Sequence, residues 1–439
     1  MSQNSHLLDA LQQAVAHRAQ TGLTTFSLNE PLPTFAADLF SNDYLSLSTD
    51  TNLRESYLRR ALAAPFLFGS TGSRLGTGNS KEYNALERRL QCFFRFPSAL
   101  LFHSGFSANS TFFASVPRKE DVIIHDELIH ISCREGFRLS GARLATYLFA
   151  HNSVASFEEC LRNVLQKHPQ IAQGQSTVFI SVESLYSMDG DFCPLLEIVN
   201  LVEDLVPAGH AHIVVDEAHT SAICGPNGSG YVSLLGLSHR VHTTVHTFGK
   251  GWGFHGAVVL TSPIIREYLV NFGKSVMFST SMPYTDIYAL QSCLDVISSE
   301  RGQQLRDSLR HLSRYAHQQL LHTMKRIPKH ILSLDDSPLI TTGAHGSGLY
   351  SPVIPIFTPL AQGLADYLLE KGYGVTAMTF PVVKRPMIRM IVHARNTEGD
   401  IDSFVNELVQ WAARQSVGPG WGAGSGIMRG EDLEMKVRL

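Results

Sequence analysis

An α/β fold built on a mostly parallel sheet is predicted by three features of this 439-residue chain. From about residue 80, short apolar runs rich in β-branched and aromatic residues alternate with helical stretches. Several of those runs end on a polar residue, the place where α/β sheets bind ligands. After about residue 300 the pattern changes to a smaller α+β lobe.

The elements follow in order. Leu7, Leu8, Leu11 and Val15 recur at helical spacing and predict a helix over 5–20. A loop with Pro31 and Pro33 follows. Buried strands are predicted at 99–102, 122–125, 177–182, 212–215, 243–247 and 257–260, each short and bounded by polar or turn residues. In the smaller lobe, helices are expected around 303–324, 363–371 and 401–412, with apolar runs at 353–357 and 388–392. The expected organisation is an N-terminal helix and arm (1–45), a large domain (46–300), a small C-terminal domain (301–415) and a flexible tail (416–439). The tail carries six glycines between Gly418 and Gly430.

Composition narrows the function classes. With 36 Lys+Arg against 39 Asp+Glu, the net charge is −3, which argues against nucleic acid as a partner. Hydrophobic residues make up 44%, enough for a sizeable core. No apolar run is long enough to span a membrane. The six cysteines are dispersed, with no C-x-x-C pair, so neither a zinc site nor a disulfide framework is expected, and a reducing compartment is. The polar segment 1–20 has no apolar leader core, and the expected location is cytoplasmic. The last residues, Val437-Arg438-Leu439, match a peroxisomal S-K-L-type address at two of three positions and keep that compartment open.

Four stretches could carry chemistry. In His246-Thr247-Phe248-Gly249-Lys250-Gly251-Trp252-Gly253, an apolar strand delivers a lysine into a glycine-rich turn. A lysine near dry apolar walls has a lowered pKa and can form a Schiff base. In Ile213-Val214-Val215-Asp216-Glu217-Ala218-His219, a strand-end carboxylate is placed to pair with a protonated pyridine nitrogen and keep that ring an electron sink, with His219 beside the ring hydroxyl. Ser104-Gly105-Phe106 follows a strand and opens a helix whose free amides suit a phosphate. His130 follows the 122–125 strand and could stack on an aromatic cofactor. Singly, each has a plainer structural reading: a surface lysine, an N-cap aspartate, an ordinary helix start, one histidine among 20. Together they are the parts of a pyridoxal-phosphate site that requires no metal.

On these residues the chain resembles the α-oxoamine synthases, fold-type I pyridoxal-phosphate enzymes of the class-II aminotransferase type. The resemblance runs from about Ser41 to Trp411. It rests on Ser41-Asn42-Asp43-Tyr44-Leu45, Gly69-Ser70-Thr71-Gly72-Ser73-Arg74, Ser104-Gly105-Phe106, His130, Glu183 through Ser187-Met188-Asp189-Gly190-Asp191, Asp216-Glu217-Ala218-His219, Thr247-Phe248-Gly249-Lys250, Phe278-Ser279-Thr280-Ser281-Met282-Pro283 and Arg389. It implies that Lys250 forms the Schiff base with pyridoxal 5'-phosphate and moves protons at the substrate Cα. Asp216 would pair with the pyridine nitrogen, His219 with the ring hydroxyl, and His130 would stack on the ring. Gly105, Phe106 and Thr247 would hold the phosphate, and Ser187 would lie near the cofactor. Thr280 and Ser281 would reach the phosphate of a second subunit in a homodimer with shared sites. Asn42 and Arg389 would hold the substrate carboxylate, a task suited to the planar guanidinium.

The resemblance implies a decarboxylative condensation of an amino acid with an acyl-CoA. Within the family, Ser104-Gly105-Phe106 and the His393-Ala394-Arg395-Asn396-Thr397 stretch are most like members that join L-alanine to a pimeloyl thioester in biotin synthesis. Three departures stand out. Tyr83 takes the place of the family's usual histidine, Thr220-Ser221 follows His219 where glycine is usual, and Arg18 is the only arginine before Asn42. They leave open a longer acyl chain or a carrier-bound polyketide. A plain aminotransferase and a non-catalytic subunit are the other readings, and the presence of Lys250 argues against the last.

Overall fold

The computed structural model describes residues 5–20, 35–335, 349–380 and 382–417. The 31–33 loop and the glycine-rich tail from 418 therefore lie outside the described residues.

The helix expected near the N-terminus is α1 (Ser5–Gln20). Leu7, Leu8, Leu11 and Val15, which define its apolar face, are each about half exposed. Next come the short β1 (Ala37–Asp38) and α2 (Thr51–Ala63), whose N-terminus is capped by Asp50 accepting from the Leu53 amide at 2.9 Å. The helix α3 (Lys81–Phe94) starts on Ser80, whose hydroxyl caps Tyr83 N at 3.0 Å. It stops at Arg95, which takes the left-handed conformation at φ 56°. Tyr83, Leu86, Leu90 and Phe94 form its buried stripe. Truncating the fully buried Leu86 to alanine would cost about 2–5 kcal/mol.

The central sheet has seven strands: β2 (Ser98–Phe102), β3 (Val122–Asp126), β4 (Thr146–Phe149), β5 (Val178–Glu183), β6 (Ala211–Asp216), β7 (Thr243–Thr247) and β8 (Ala257–Thr261). Their spatial order is β2-β8-β7-β6-β5-β3-β4. Only β8 runs against the others, pairing antiparallel with both β2 and β7. Five strands are buried along their whole length or nearly so, as a sheet covered on both faces requires. The edge strand β4 is only partly covered; its weak apolar pattern, Thr-Tyr-Leu-Phe, gave no strand expectation.

The smaller sheet is β11-β12-β9, from β9 (Val353–Phe357), β11 (Thr376–Met378) and β12 (Met387–Ile391), all antiparallel. The long helix Glu300–Met324 and the helix Glu398–Val417 pack against each other beside it. The N-terminal arm joins this lobe. β1 pairs in parallel with β10 (Tyr373–Gly374), the Ile391 amide donates to Leu39 O at 2.9 Å, and the Ala394 amide donates to Tyr44 O at 2.8 Å. The arm thus carries Asn42 and Tyr44 to the cleft between the lobes. The six cysteines are free thiols, and among the described residues no helix is long and apolar enough to cross a membrane.

Candidate active site

The carboxyl ends of β5, β6 and β7 converge, because parallel strands deliver their last residues to one edge of the sheet. Glu183 and Asp216 end β5 and β6 as register partners, and Thr247 ends β7. Beyond Thr247 the chain makes a tight turn. Phe248 N donates to Gly256 O at 2.8 Å, Phe254 N to Phe248 O at 2.9 Å, and Gly253 N to Lys250 O at 2.8 Å. Gly253 sits at φ +63° against Leu47, where a side chain would be both strained and blocked. Trp252 is fully buried beneath the turn, and its Nε1 donates to Ser221 Oγ at 2.9 Å. The Ser221 departure therefore has a local reason: its hydroxyl anchors the turn that presents Lys250. Thr220 is bonded to Glu217 and to Ser184 Oγ. Tyr83 likewise has a place, packed under the Arg74 guanidinium at 3.8 Å, with Arg74 paired to the buried Glu87 at 2.8 Å.

Lys250 Nζ lies 2.8 Å from His219 Nε2. Burial lowers the lysine pKa, and Arg389 pushes the same way against the opposing carboxylates of Asp216 and Glu183. Burial holds His219 well below the usual imidazole value, with Lys250, Arg389 and His130 adding to it, so the ring is neutral. A neutral imidazole has one donor and one acceptor. Its Nε2 accepts from Lys250, so Nδ1–H donates to Tyr44 Oη, its other close partner. Burial also raises the Tyr44 pKa and keeps its hydroxyl protonated; that hydroxyl donates to Asn42 Oδ1 at 3.3 Å. The result is one directed chain: Lys250 to His219 to Tyr44 to Asn42.

On the other side, Asp216 is buried, accepting from Ala218 N at 2.8 Å and from Asn109 Nδ2 at 2.7 Å. Asn109 also donates to Ser132 Oγ at 3.0 Å, and that hydroxyl meets His130 Nδ1 at 2.7 Å. His130 Nδ1 also accepts from Ser132 N at 3.2 Å and so caps α5 (Ile131–Leu139). Burial lowers its pKa, with Lys250 adding and Asp216 opposing. Glu183, buried next to Asp216, is pushed well above the ordinary carboxyl value by burial and by that neighbour. Asn109, Ser132, Tyr44 and Glu183 were not assigned roles from the sequence. The signal for two of them was present, since Tyr44 and Glu183 belong to the motifs that carry the resemblance.

The helix α4 (Gly105–Ser115) begins opposite Thr247. Its Ser104 cap accepts from Ser107 N at 3.1 Å, and the amides of Gly105 and Phe106 fall in the first turn, which has no acceptor within its own helix. A side chain at Gly105 would strike Thr247 Cγ2, so the close approach demands glycine. Thr247 Oγ1 is buried with no hydrogen-bond partner among the described residues. A buried polar atom without a partner costs free energy unless something supplies one. An anion at this helix start would meet the amides and that hydroxyl together. These residues fit a phosphate, and with Asp216, His130 and Lys250 they fit a phosphorylated pyridine aldehyde.

Arg389, on β12, is buried; its Nη1 donates to Ser187 O at 3.1 Å and its Nε has no partner among the described residues. Burial lowers its pKa, with Tyr44 opposing. Thus Asn42, Tyr44, Arg389 and Ser187 come together with Lys250 and His219. Thr280 and Ser281 do not join this group. They pair with the 72–73 segment, through the Ser73–Thr280 bridge and Ser281 N donating to Gly72 O at 2.9 Å.

A family model described as aminotransferase class I and II matches residues 37–408. The chain is 36% identical over 389 residues to the 8-amino-7-oxononanoate synthase of Emericella nidulans, covering 87% of this chain and 91% of that one. It is 31% identical over 387 residues to the aminoacyl transferase sphA of Aspergillus fumigatus, covering 86% and 81%. Among solved structures, Sphingomonas wittichii serine palmitoyltransferase superposes with a TM-score of 0.76 at 23% identity, over 95% of this chain and all of that one. The 8-amino-7-oxononanoate synthase of Francisella tularensis gives 0.66 at 23%, over 87% and 98%. At such identities the two structures show a shared fold.

Proposed function

The chain belongs to the class I and II aminotransferase family, among the pyridoxal-phosphate-dependent acyltransferases of its α-oxoamine synthase branch, and from that premise we propose that it joins L-alanine to pimeloyl-CoA, releasing CoA and carbon dioxide and forming 8-amino-7-oxononanoate for biotin synthesis. The carrying observation is the directed chain from Lys250 through His219 and Tyr44 to Asn42, with Arg389 beside it. It supports reading Lys250 as a proton-transfer amine beside a carboxylate-binding pair, Asn42 and Arg389. The choice of alanine and pimelate draws on the 36% identity to an oxononanoate synthase.

In this reading Lys250, Asp216, His219 and His130 hold the cofactor ring, Gly105, Phe106 and Thr247 surround its phosphate end, and Ser187 lies near the cofactor on the side of Arg389. The bound cofactor supplies an electron sink for charge developing at the substrate Cα. Arg389 and Asn42 bind the amino-acid carboxylate and orient its Cα. Lys250, with its pKa lowered by burial, takes the Cα proton at Nζ and later returns one. His219 accepts a hydrogen bond from that nitrogen and fixes its direction. The chain works as a homodimer in which the exposed Thr280 and its neighbour Ser281 reach the second subunit's phosphate; Ser281 Oγ is buried and has no hydrogen-bond partner among the described residues. The proposed compartment is the cytoplasm, with Val437-Arg438-Leu439 as the feature that would direct the chain to peroxisomes instead.

A second reading replaces pimelate with a longer or carrier-bound acyl chain. It is favoured by the single arginine ahead of Asn42, which leaves few cations for a distal carboxylate, and by the 31% identity to an aminoacyl transferase. Free CoA release by the cofactor-loaded protein decides between them, comparing pimeloyl-CoA with acetyl-CoA and palmitoyl-CoA, each with L-alanine, glycine or L-serine. Turnover confined to pimeloyl-CoA with L-alanine is the expected result. Turnover only with palmitoyl-CoA would replace it with the second reading.

A further inference from the structure

A second cluster of ionisable groups lies at the carboxyl end of β3, off the path from Lys250 to Asn42. Asp126, fully buried, accepts from Leu128 N at 2.8 Å, from Asn152 N at 2.9 Å, and from His151 Nδ1 at 2.9 Å. His151 Nε2 meets Asp191 Oδ2 at 3.1 Å. Asn152, held in the left-handed conformation at φ 49°, donates from its side chain to the same Asp191 oxygen at 2.7 Å and to Phe192 O at 3.3 Å. A carboxylate accepts hydrogen bonds and donates none, so a histidine satisfying one carboxylate at each nitrogen must carry both protons. His151 is therefore an imidazolium bridging two acidic groups on separate segments. The edge of its ring also packs on Tyr186, with centroids 4.5 Å apart.

What the bridge holds is a closed loop. Leu185 pairs with Phe192, Gly190 N donates to Tyr186 O at 3.0 Å, and Tyr186 N donates to Asp191 O at 3.0 Å. Gly190, at φ +67°, packs so closely on the Val353 carbonyl that no side chain would fit. At the tip of this loop the Ser187 carbonyl receives Arg389 Nη1 at 3.1 Å. A parallel tie runs from Glu127, which accepts from His151 N at 3.2 Å and from Lys384 Nζ at 3.1 Å, to the segment leading into the strand of Arg389. His151, Asp189 and Asp191 also bring ligand atoms within 4.8 Å of one another, as a cation site would. Both His151 nitrogens already serve carboxylates, so the geometry carries a strap rather than a metal centre.

We propose that His151, clamped between Asp126 and Asp191, is a positioning residue for amino-acid binding: it fixes the 185–192 loop so that the Ser187 carbonyl aims the Arg389 guanidinium at the substrate carboxylate. This rests on the reading of Arg389 as a carboxylate-binding residue. The bridge touches neither Lys250 nor Asp216, so its loss is felt in amino-acid affinity and leaves cofactor affinity alone.

The test uses the cofactor-loaded protein. The bound cofactor's absorbance is titrated with L-alanine, glycine and L-serine, and the tightest binder to the wild type is carried forward. Arg389→Ala is expected to weaken that amino acid by roughly tenfold or more, the loss of a charged hydrogen-bond partner. His151→Phe is expected to weaken it by about fivefold, with cofactor affinity unchanged and kcat within about twofold. Because His151 acts through Arg389, adding His151→Phe to Arg389→Ala should cost nothing further. Should His151→Phe fail to fold, Asp191→Asn, which keeps the Asp126 contact, should show the same pattern at smaller size.

Equal losses from His151→Phe with and without Arg389, or weakened cofactor binding, would overturn the proposal. So would unchanged amino-acid affinity in both His151→Phe and Asp191→Asn. An Arg389→Ala variant with unchanged affinity, or a wild type that answers none of the three amino acids, would instead bring down the functional reading, and the proposal with it.

Discussion

The two sides of the cleft are built differently. The cofactor side comes from strand ends of one sheet: Asp216 closes β6 with His219 just beyond, Thr247 closes β7 with Lys250 just beyond, and Gly105 and Phe106 follow β2. Each group sits within a few residues of a buried strand, and the parallel sheet alone brings them together. The substrate side is assembled from pieces far apart in the chain. Asn42 and Tyr44 come from the N-terminal arm, Ser187 from a loop after β5, and Arg389 from β12 of the small sheet. Nothing local brings these together; the arm is stitched to the small lobe by β1 on β10 and by Tyr44 O accepting from Ala394 N. Cofactor binding therefore depends on one sheet, while amino-acid recognition depends on how two lobes are joined.

The difference can be attacked from either side. The largest expected effect is at Lys250. Lys250→Ala removes the transferring amine and should lower turnover by about a thousandfold or more, while the phosphate contacts at Gly105, Phe106 and Thr247 keep the cofactor bound. Turnover is measured by CoA release and retention by cofactor fluorescence after desalting. Substantial residual turnover would remove Lys250 from its role.

Tyr44 is the junction between the two sides and should show an intermediate effect. Tyr44→Phe deletes the acceptor for His219 Nδ1–H and the donor to Asn42, leaving a buried imidazole donor unpaired at a cost of about 1–3 kcal/mol. The expected result is a fall in kcat/KM of roughly tenfold, with the cofactor still bound. An unchanged kcat/KM would mean that the two sides are not coupled through this path.

The smallest effect is on stability, at His151. Burial lowers its pKa, but the bonds to Asp126 and Asp191 outweigh that and raise it from 6.5 to about 10. A pKa raised in the folded state gives stability that is full below the unfolded value and fades as pH rises through the folded one. The stability gap between wild type and His151→Phe should therefore be widest below about pH 6.5 and close toward pH 10. Urea unfolding at pH 6, 8 and 10 measures it. A gap constant with pH would mean that the ring contributes packing only.

The same contrast explains what could be read in the sequence. The strands carrying Asp216 and Lys250 were legible because a buried parallel strand is a short apolar run, and strands 243–247 and 353–357 match their expected bounds. The edge strand β4 was not, since its half-covered Thr-Tyr-Leu-Phe run lacks that signature. Asn42 and Arg389 were reached through resemblance to a family, because spacing along the chain says nothing about residues nearly 350 positions apart. The proton directions along Lys250, His219 and Tyr44 needed three-dimensional burial, which turns His219 neutral and keeps Tyr44 protonated. The His151 strap was invisible for the same reason: Asp126, His151 and Asp191 meet only where β3 ends beside the loop after β5.

The account turns on a site where an amino-acid carboxylate is gripped on one side while Lys250 works on the other. The CoA-release assay tests this most directly when run with amino acid labelled at its carboxyl carbon. The account predicts labelled carbon dioxide and free CoA in equal amounts, each dependent on both substrates. Amino transfer to a keto acid, with no CoA freed and the label retained, would contradict it.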